Sequence, residues 1–158
     1  ILHSLRHVVA NDSLFFDILR SFYMENRMKE ISSEVFEELV NRKTGKDFHW
    51  FFAQYLHNRF TPELECCVKD GTVYYRWNAA YTNKDFVKMQ VRAIGIISAE
   101  PHARVDYSGT FEAGKVTPTF SIQSFTIREG CALRFDEGEA LFKATENKNL
   151  AEEFRKQK

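Results

Sequence analysis

The sequence lacks any excess of charge: 22 basic and 22 acidic residues leave a formal net charge of zero, with a pI near 7.1. Such a chain projects no long-range field toward a polyanion or an anionic bilayer, so nucleic acid is not expected as a partner. Long apolar runs are missing too. Stretches such as Trp50-Phe51-Phe52-Ala53 and Ile94-Gly95-Ile96-Ile97 fall far short of the roughly 20 residues that span a bilayer. A soluble chain with no membrane span is expected. No Gly-rich phosphate loop, Cys-x-x-Cys pair or nucleophile elbow occurs, which removes the local motifs of nucleotide, redox and acyl-transfer chemistry. Cysteine is scarce and odd in number, at Cys66, Cys67 and Cys131. Neighbours in a strand point to opposite faces, which disfavours a Cys66–Cys67 bridge, so the three read as free thiols, the pattern of a reducing compartment.

What is present suffices for a core. The 158 residues are 44% hydrophobic and 15% aromatic, enough for one ordinary domain or two small ones. The chain opens on Ile1 inside an amphipathic pattern with no capping residue before it, so it is expected to be a piece of a longer protein.

Periodicity changes near Thr61-Pro62. Before it, four short helices are predicted. Ile1, Leu2, Leu5, Val8 and Val9 form the first apolar stripe, ended by Asn11. Asp12 or Ser13 caps a second helix with Leu14, Phe15, Ile18, Leu19, Phe22 and Tyr23 inward, stopping near Asn26. Ser32 or Ser33 opens a third, with Glu34 in its first turn and Val35, Phe36, Leu39 and Val40 inward, and Gly45 stops it. Asp47 caps a fourth through Phe48, Phe51, Phe52, Tyr55 and Leu56, which Pro62 forbids to continue. Connections of a few residues imply antiparallel neighbours.

After Pro62 the period is two. Leu64, Cys66 and Val68 lead into Asp70-Gly71, a strong hairpin signal, and out through Val73, Tyr75 and Trp77. Asn83-Lys84-Asp85 reads as a turn, followed by a strand from Phe86 to Ala93. Further strands are expected at Ala103–Tyr107, Val116–Ile122, Phe125–Arg128 and Ala132–Phe135, separated by Gly109, Gly114 and Gly130. About seven short strands argue for an immunoglobulin-like β-sandwich. The fold class is therefore α+β in two parts: helices over residues 1–60, a sandwich over 61–146, and a charged tail over 147–158, which from Leu150 reads as either a short helix or a frayed end.

Local candidates for chemistry do not assemble. His3 and His7 have the i, i+4 spacing of two zinc-binding imidazoles on one helix. A hydrolytic zinc helix needs a glutamate beside the first histidine to deprotonate the metal-bound water; Ser4 stands there, and no third ligand follows. The histidines read as the outer face of a helix whose inner face is Leu2, Leu5 and Val9. Trp50, Phe51, Phe52, Tyr55 and Phe60 read as core rather than a stacking platform. Glu34, Glu37, Glu38, Glu137 and Glu139 read as solvated, and Gly130-Cys131 lacks a base at any readable spacing.

One pattern exceeds composition. Ile1-Leu2-His3-Ser4-Leu5-Arg6, Phe15-Phe16-Asp17-Ile18-Leu19, Ser32-Ser33-Glu34-Val35-Phe36 and, most specifically, Gly45-Lys46-Asp47-Phe48-His49-Trp50-Phe51-Phe52-Ala53-Gln54-Tyr55-Leu56 resemble the stretch that follows the zinc site in gluzincin aminopeptidases, the aminopeptidase N and leukotriene-hydrolase group. Pro62-Glu63-Leu64 is similar to that family's entry into a β-sandwich. Leu133-Arg134-Phe135-Asp136 with Ala140-Leu141-Phe142 is similar to its last sandwich strand and trailing segment. The resemblance implies that the zinc helix, the third ligand glutamate, the exopeptidase motif and the tyrosine that stabilises the tetrahedral intermediate all lie upstream of Ile1. It follows that catalytic, metal and substrate-binding residues number none in this chain, while the parent would hold zinc and use a metal-bound water on peptide substrates. The implied partner is the upstream catalytic half, with self-association through the first helix when that half is missing. The alternative is a scaffold or protein-binding module from a relative that has lost the metal.

Overall fold

Four helices do occupy the first part of the chain, but their faces and caps differ from the simple stripes. The computed structural model describes residues 1–89, 93–97, 104–106, 122–127, 131–135 and 141–157. Helix α1 spans Leu2–Val9 and closes on Ala10, whose left-handed backbone returns its N–H to the Arg6 carbonyl. Its buried residues are Ser4, Leu5 and Val9, with Val8 partly covered. Leu2, expected inward, is 51% exposed and Ile1 is exposed beside it, so only part of the predicted stripe lacks cover. Ser4 takes the inward place because its hydroxyl is used: it accepts the Leu141 N–H at 2.9 Å.

Helix α2 spans Asp12–Asn26 and is capped by Asn11, whose Oδ1 accepts the Leu14 N–H at 3.0 Å. Asp12 or Ser13 was the expected cap. Asp12 is instead drawn back to α1, where its Oδ1 accepts from Arg6 Nε at 2.7 Å. Phe15 and Ile18 are buried, while Tyr23 faces solvent. Helix α3, Ser33–Thr44, has Ser32 as its cap residue, buries Leu39 and Val40, and ends at Gly45 with φ 66°. A side chain there would be strained in the left-handed region, which is why glycine stops the helix. Helix α4 spans His49–Tyr55. Asp47 turns the chain into it by accepting the His49 N–H at 2.8 Å, one residue before the N-cap position at Phe48, while Asn41 of α3 accepts the Phe48 N–H at 2.8 Å.

Strands β1 (Glu63–Lys69) and β2 (Thr72–Trp77) pair antiparallel from Leu64 opposite Trp77 to Lys69 opposite Thr72. Asp70 and Gly71 both carry positive φ, 52° and 71°, the backbone of the two-residue turn that matches strand twist. Strands β3 (Ala93–Ile97), β4 (Arg104–Asp106), β5 (Gln123–Thr126), β6 (Cys131–Phe135) and β7 (Lys143–Glu146) complete two sheets. One has the order β5-β2-β1-β7 and the other β4-β3-β6. Among the described residues the strand pairs are antiparallel except β7, which lies parallel to β1. The fold is mixed α+β.

Two expectations need correction. The strand expected from Phe86 begins as a short 3-10 helix, Lys84–Lys88, capped by Asn83. Phe86 and Met89 are both fully buried, and their spacing of three is helical rather than extended. Val68, expected on the same side as Leu64, is exposed near the end of the hairpin, although Val73 directly opposite it is buried. Of the two readings of the charged tail, the short helix is the one present: α5 spans Leu150–Gln157, with Leu150 and Ala151 buried. The expected strand Val116–Ile122, apart from buried Ile122, lies outside the described residues. So do residues 90–92, Gly109, Gly114, Gly130, Glu137 and Glu139.

One continuous core runs from Leu5, Ile18 and Val40 through Trp50, Phe51 and Phe52 to Leu64, Val73, Trp77, Phe125 and Phe142. The helices and the first sheet thus share a hydrophobic interior. A second, small cluster of Cys67, Ile122 and Leu150, with Tyr74 and Phe154 partly buried, sits apart.

Candidate functional site

The seam between α4 and the sheet concentrates the polar chemistry of the interior. Helix α4 is seven residues long and buries Trp50, Phe51, Phe52 and Gln54. The aromatic side chains meet a ring of others. Trp50 and Tyr55 lie 5.8 and 5.4 Å from Phe86, and Phe86 lies 5.3 Å from Trp77, which in turn is 5.9 Å from Phe142. Most of these contacts are edge-on, the arrangement that sets a positive ring edge against a negative face.

Gln54 has no exposed surface. Its Nε2 donates to the Phe60 carbonyl at 2.9 Å and the Tyr81 carbonyl at 3.2 Å, and its Oε1 accepts the Asn83 N–H at 2.6 Å. One amide therefore satisfies three main-chain groups from two loops. Next to it, the Tyr55 hydroxyl donates to the Leu141 carbonyl at 2.6 Å, and the Leu141 N–H goes to Ser4. Both polar groups of Leu141 are held by side chains from different helices. Burial pushes the Tyr55 phenol above its ordinary value, and the Ser4 hydroxyl offsets part of that rise. Thr82 is buried as well; its Oγ1 accepts the Glu63 N–H at 3.0 Å at the start of β1.

The residues singled out in the sequence do not converge on this seam. His3 is exposed and His7 half-buried on α1, and among the described residues no group of three His, Cys, Asp or Glu is placed to hold a metal ion. Trp50, Phe51 and Phe52 are core, whereas Phe60 is exposed and stacks edge-on against Tyr81 at 5.4 Å. Glu34 is exposed at the start of α3, its carboxyl held below the usual range by the Ser32 hydroxyl and its own N–H. Glu38 is exposed, and Glu37 bonds His49 Nδ1 at 3.0 Å, tying α3 to α4. Cys66 and Cys67 are free thiols, and burial first, then the neighbouring Cys67 and Glu146, pushes Cys66 up to about 11. A thiol held protonated in this way is a poor nucleophile at neutral pH. No described helix is long and apolar enough to cross a membrane.

Gln54 and Ser4 were missed as structural residues, although a signal existed for the first. A lone amide at i+3 from Phe51 and i+4 from Trp50 falls on the apolar face of its helix, where an unsatisfied polar group would cost about 1–3 kcal/mol. Such a position calls for main-chain partners. For Ser4 no local signal exists, since its partner lies at Leu141.

No family model and no curated protein matches the chain.

Proposed function

We propose that this chain is a non-catalytic C-terminal portion of a gluzincin-type zinc aminopeptidase, bracing a catalytic half that lies upstream. In this reading residues 1–60 complete the helical side of the catalytic domain as antiparallel neighbours, and the two sheets face each other as an immunoglobulin-like sandwich. The zinc and its activated water belong to the parent, and this chain supplies rigidity. The upstream half covers Ile1, Leu2 and Phe16, all of them exposed; in its absence the same side chains drive self-association.

The observation that carries the reading is the role of the block Gly45–Leu56. The segment with the most specific resemblance is also the one that closes α3, turns at Asp47 and inserts three aromatic rings and Gln54 between helices and sheet. A bracing module needs its most constrained sequence at such a junction, where volume and hydrogen bonding are both fixed.

The test is expression of the chain alone and joined to the reading frame upstream of Ile1. The joined protein is expected to retain stoichiometric zinc and to hydrolyse aminoacyl-anilides in a chelator-sensitive manner. The isolated chain is expected to do neither, since His3 and His7 are its one pair of imidazoles at zinc-helix spacing and no catalytic glutamate accompanies them. Tight zinc on the isolated chain with His3 as a ligand would overturn the proposal. An upstream sequence without His-Glu-x-x-His would favour the scaffold reading instead.

A further inference from the structure

We infer that α5 is a strap: it lifts from the outer face of the β1–β2 hairpin as a unit while the main core stays folded, and the Arg76 clamp sets how often it opens. The inference does not depend on the peptidase reading. Alternation along the hairpin sends Leu64, Tyr75 and Trp77 inward and Glu65, Cys67, Tyr74 and Arg76 outward. The outward strip is covered by α5, which rests on β1 and β2. Leu150 and Ala151 are buried there, and the Phe154 ring lies 5.3 Å from Tyr74.

Three features make this cover separable. Its apolar cluster is a satellite: Cys67, Ile122 and Leu150 are the buried members, and none belongs to the main core. Small satellite clusters open at lower free energy than the core they flank. The hinge is defined as well. Upstream of it, β7 is fixed in the ladder to β1, and the Asn147 N–H reaches the Cys66 carbonyl at 2.9 Å. Asn147 then turns the chain by accepting the Asn149 N–H on its Oδ1 at 3.1 Å. Helix α5 itself has eight residues, too few to persist in water without the sheet beneath it, so its lifting and its unfolding are one event.

The clamp is the third feature. Arg76 Nε donates to Glu65 Oε2 at 2.7 Å on the sheet, and the same guanidinium reaches Glu153 Oε2 on the helix at 2.7 Å. Glu65 holds the guanidinium in place, so Glu153 closes on a preset donor. All three side chains keep some solvent exposure, between 14% and 39%, so salt weakens the clamp. Opening uncovers a strip of Cys67, Tyr74 and Ile122. The Cys67 thiol, 3.9 Å from the Lys148 carbonyl, reports the event.

The experiment uses the full chain with Cys66→Ser and Cys131→Ser, leaving Cys67 as the one thiol, labelled with dithiodipyridine across a urea series. Labelling is expected to depend on urea far less steeply than global unfolding followed by tryptophan fluorescence. Arg76→Gln is expected to raise the labelling rate about 2- to 5-fold at low salt, and the difference shrinks at high salt. Equal urea slopes for labelling and global unfolding would overturn the strap. An unchanged rate in Arg76→Gln would overturn the clamp. If the double serine variant fails to fold, hydrogen exchange on the wild-type chain decides: the strap requires amides 150–157 to exchange ahead of those of β1, and equal protection refutes it.

Discussion

The two faces of the β1–β2 hairpin are made from the same twelve or so residues and held by opposite means. Inward, Leu64, Val73, Tyr75 and Trp77 enter an interior shared with α4, the 3-10 helix and Phe142. Outward, Cys67 and Tyr74 meet one short helix, and an arginine carries the polar contact. Alternation in a strand states which face a residue occupies; it does not state what covers that face or how firmly. A face tied into several elements opens only with the whole fold, whereas a face covered by one element opens with that element.

The sharpest way to break this contrast is at Phe86, fully buried against Trp50, Tyr55 and Trp77. Phe86→Ala is expected to cost about 3–5 kcal/mol in a urea melt. A loss below about 1 kcal/mol would mean that the inner face is no more integrated than the outer. Next is Gln54→Ala, which strands the Asn83 N–H and two carbonyls. A loss of about 2–3 kcal/mol is expected, and isothermal chemical denaturation measures it.

Tyr55→Phe is milder, about 1 kcal/mol at neutral pH, since one hydrogen bond disappears and the ring stays. It has a second readout. The phenol of the folded chain sits above its ordinary value, so the folded state holds that proton more tightly. The associated stability is complete below the ordinary phenol value and declines as pH rises above about 10. The Cys66 thiol adds a like decline, from its ordinary range up through about 11. Stability–pH profiles should therefore fall less steeply on the alkaline side for Tyr55→Phe than for the parent chain; identical profiles would show that the hydroxyl is solvated.

The smallest effect belongs to the outer face. Arg76→Gln should shift global stability by less than about 1 kcal/mol, because the clamp joins the strap and not the core. A larger shift in the cooperative melt would merge the two faces into one unit.

Much of the inner face was legible. The Asp70-Gly71 turn, the Gly45 stop and the burial of Trp50, Phe51 and Phe52 follow from local chemistry: positive φ for the first two and helical spacing of rings for the third. What eluded sequence reasoning depends on distant partners or weak patterns. Ser4 turns inward for Leu141. Lys143–Glu146 has a single β-branched residue and becomes a strand because β1 offers an edge. The charges of residues 150–157 leave a short helix and a frayed end equally open, and the burial of Leu150 and Ala151 decides for the helix. Phe86 and Met89 were read at period two because one turn of 3-10 helix is too short to show its own period. At the seam, the rings were readable as core and Gln54 was not recognised as their polar pin.

The parallel pairing of β7 with β1 has a consequence for the chain as it is made. Glu63 faces Lys143 in that ladder, so β1 leaves the ribosome well before its second neighbour exists. At about 5–20 residues per second the interval is roughly 4–16 s. A hairpin closed through a two-residue turn forms in microseconds, so β1 and β2 are paired almost at once while the far edge of β1 stays bare throughout the wait. Over the same seconds Ser4 and Tyr55 have no Leu141 to bind. The nascent protein therefore carries an open sheet edge beside an incomplete seam, and both are closed by one late stretch of seven residues or so, the last to arrive before the strap.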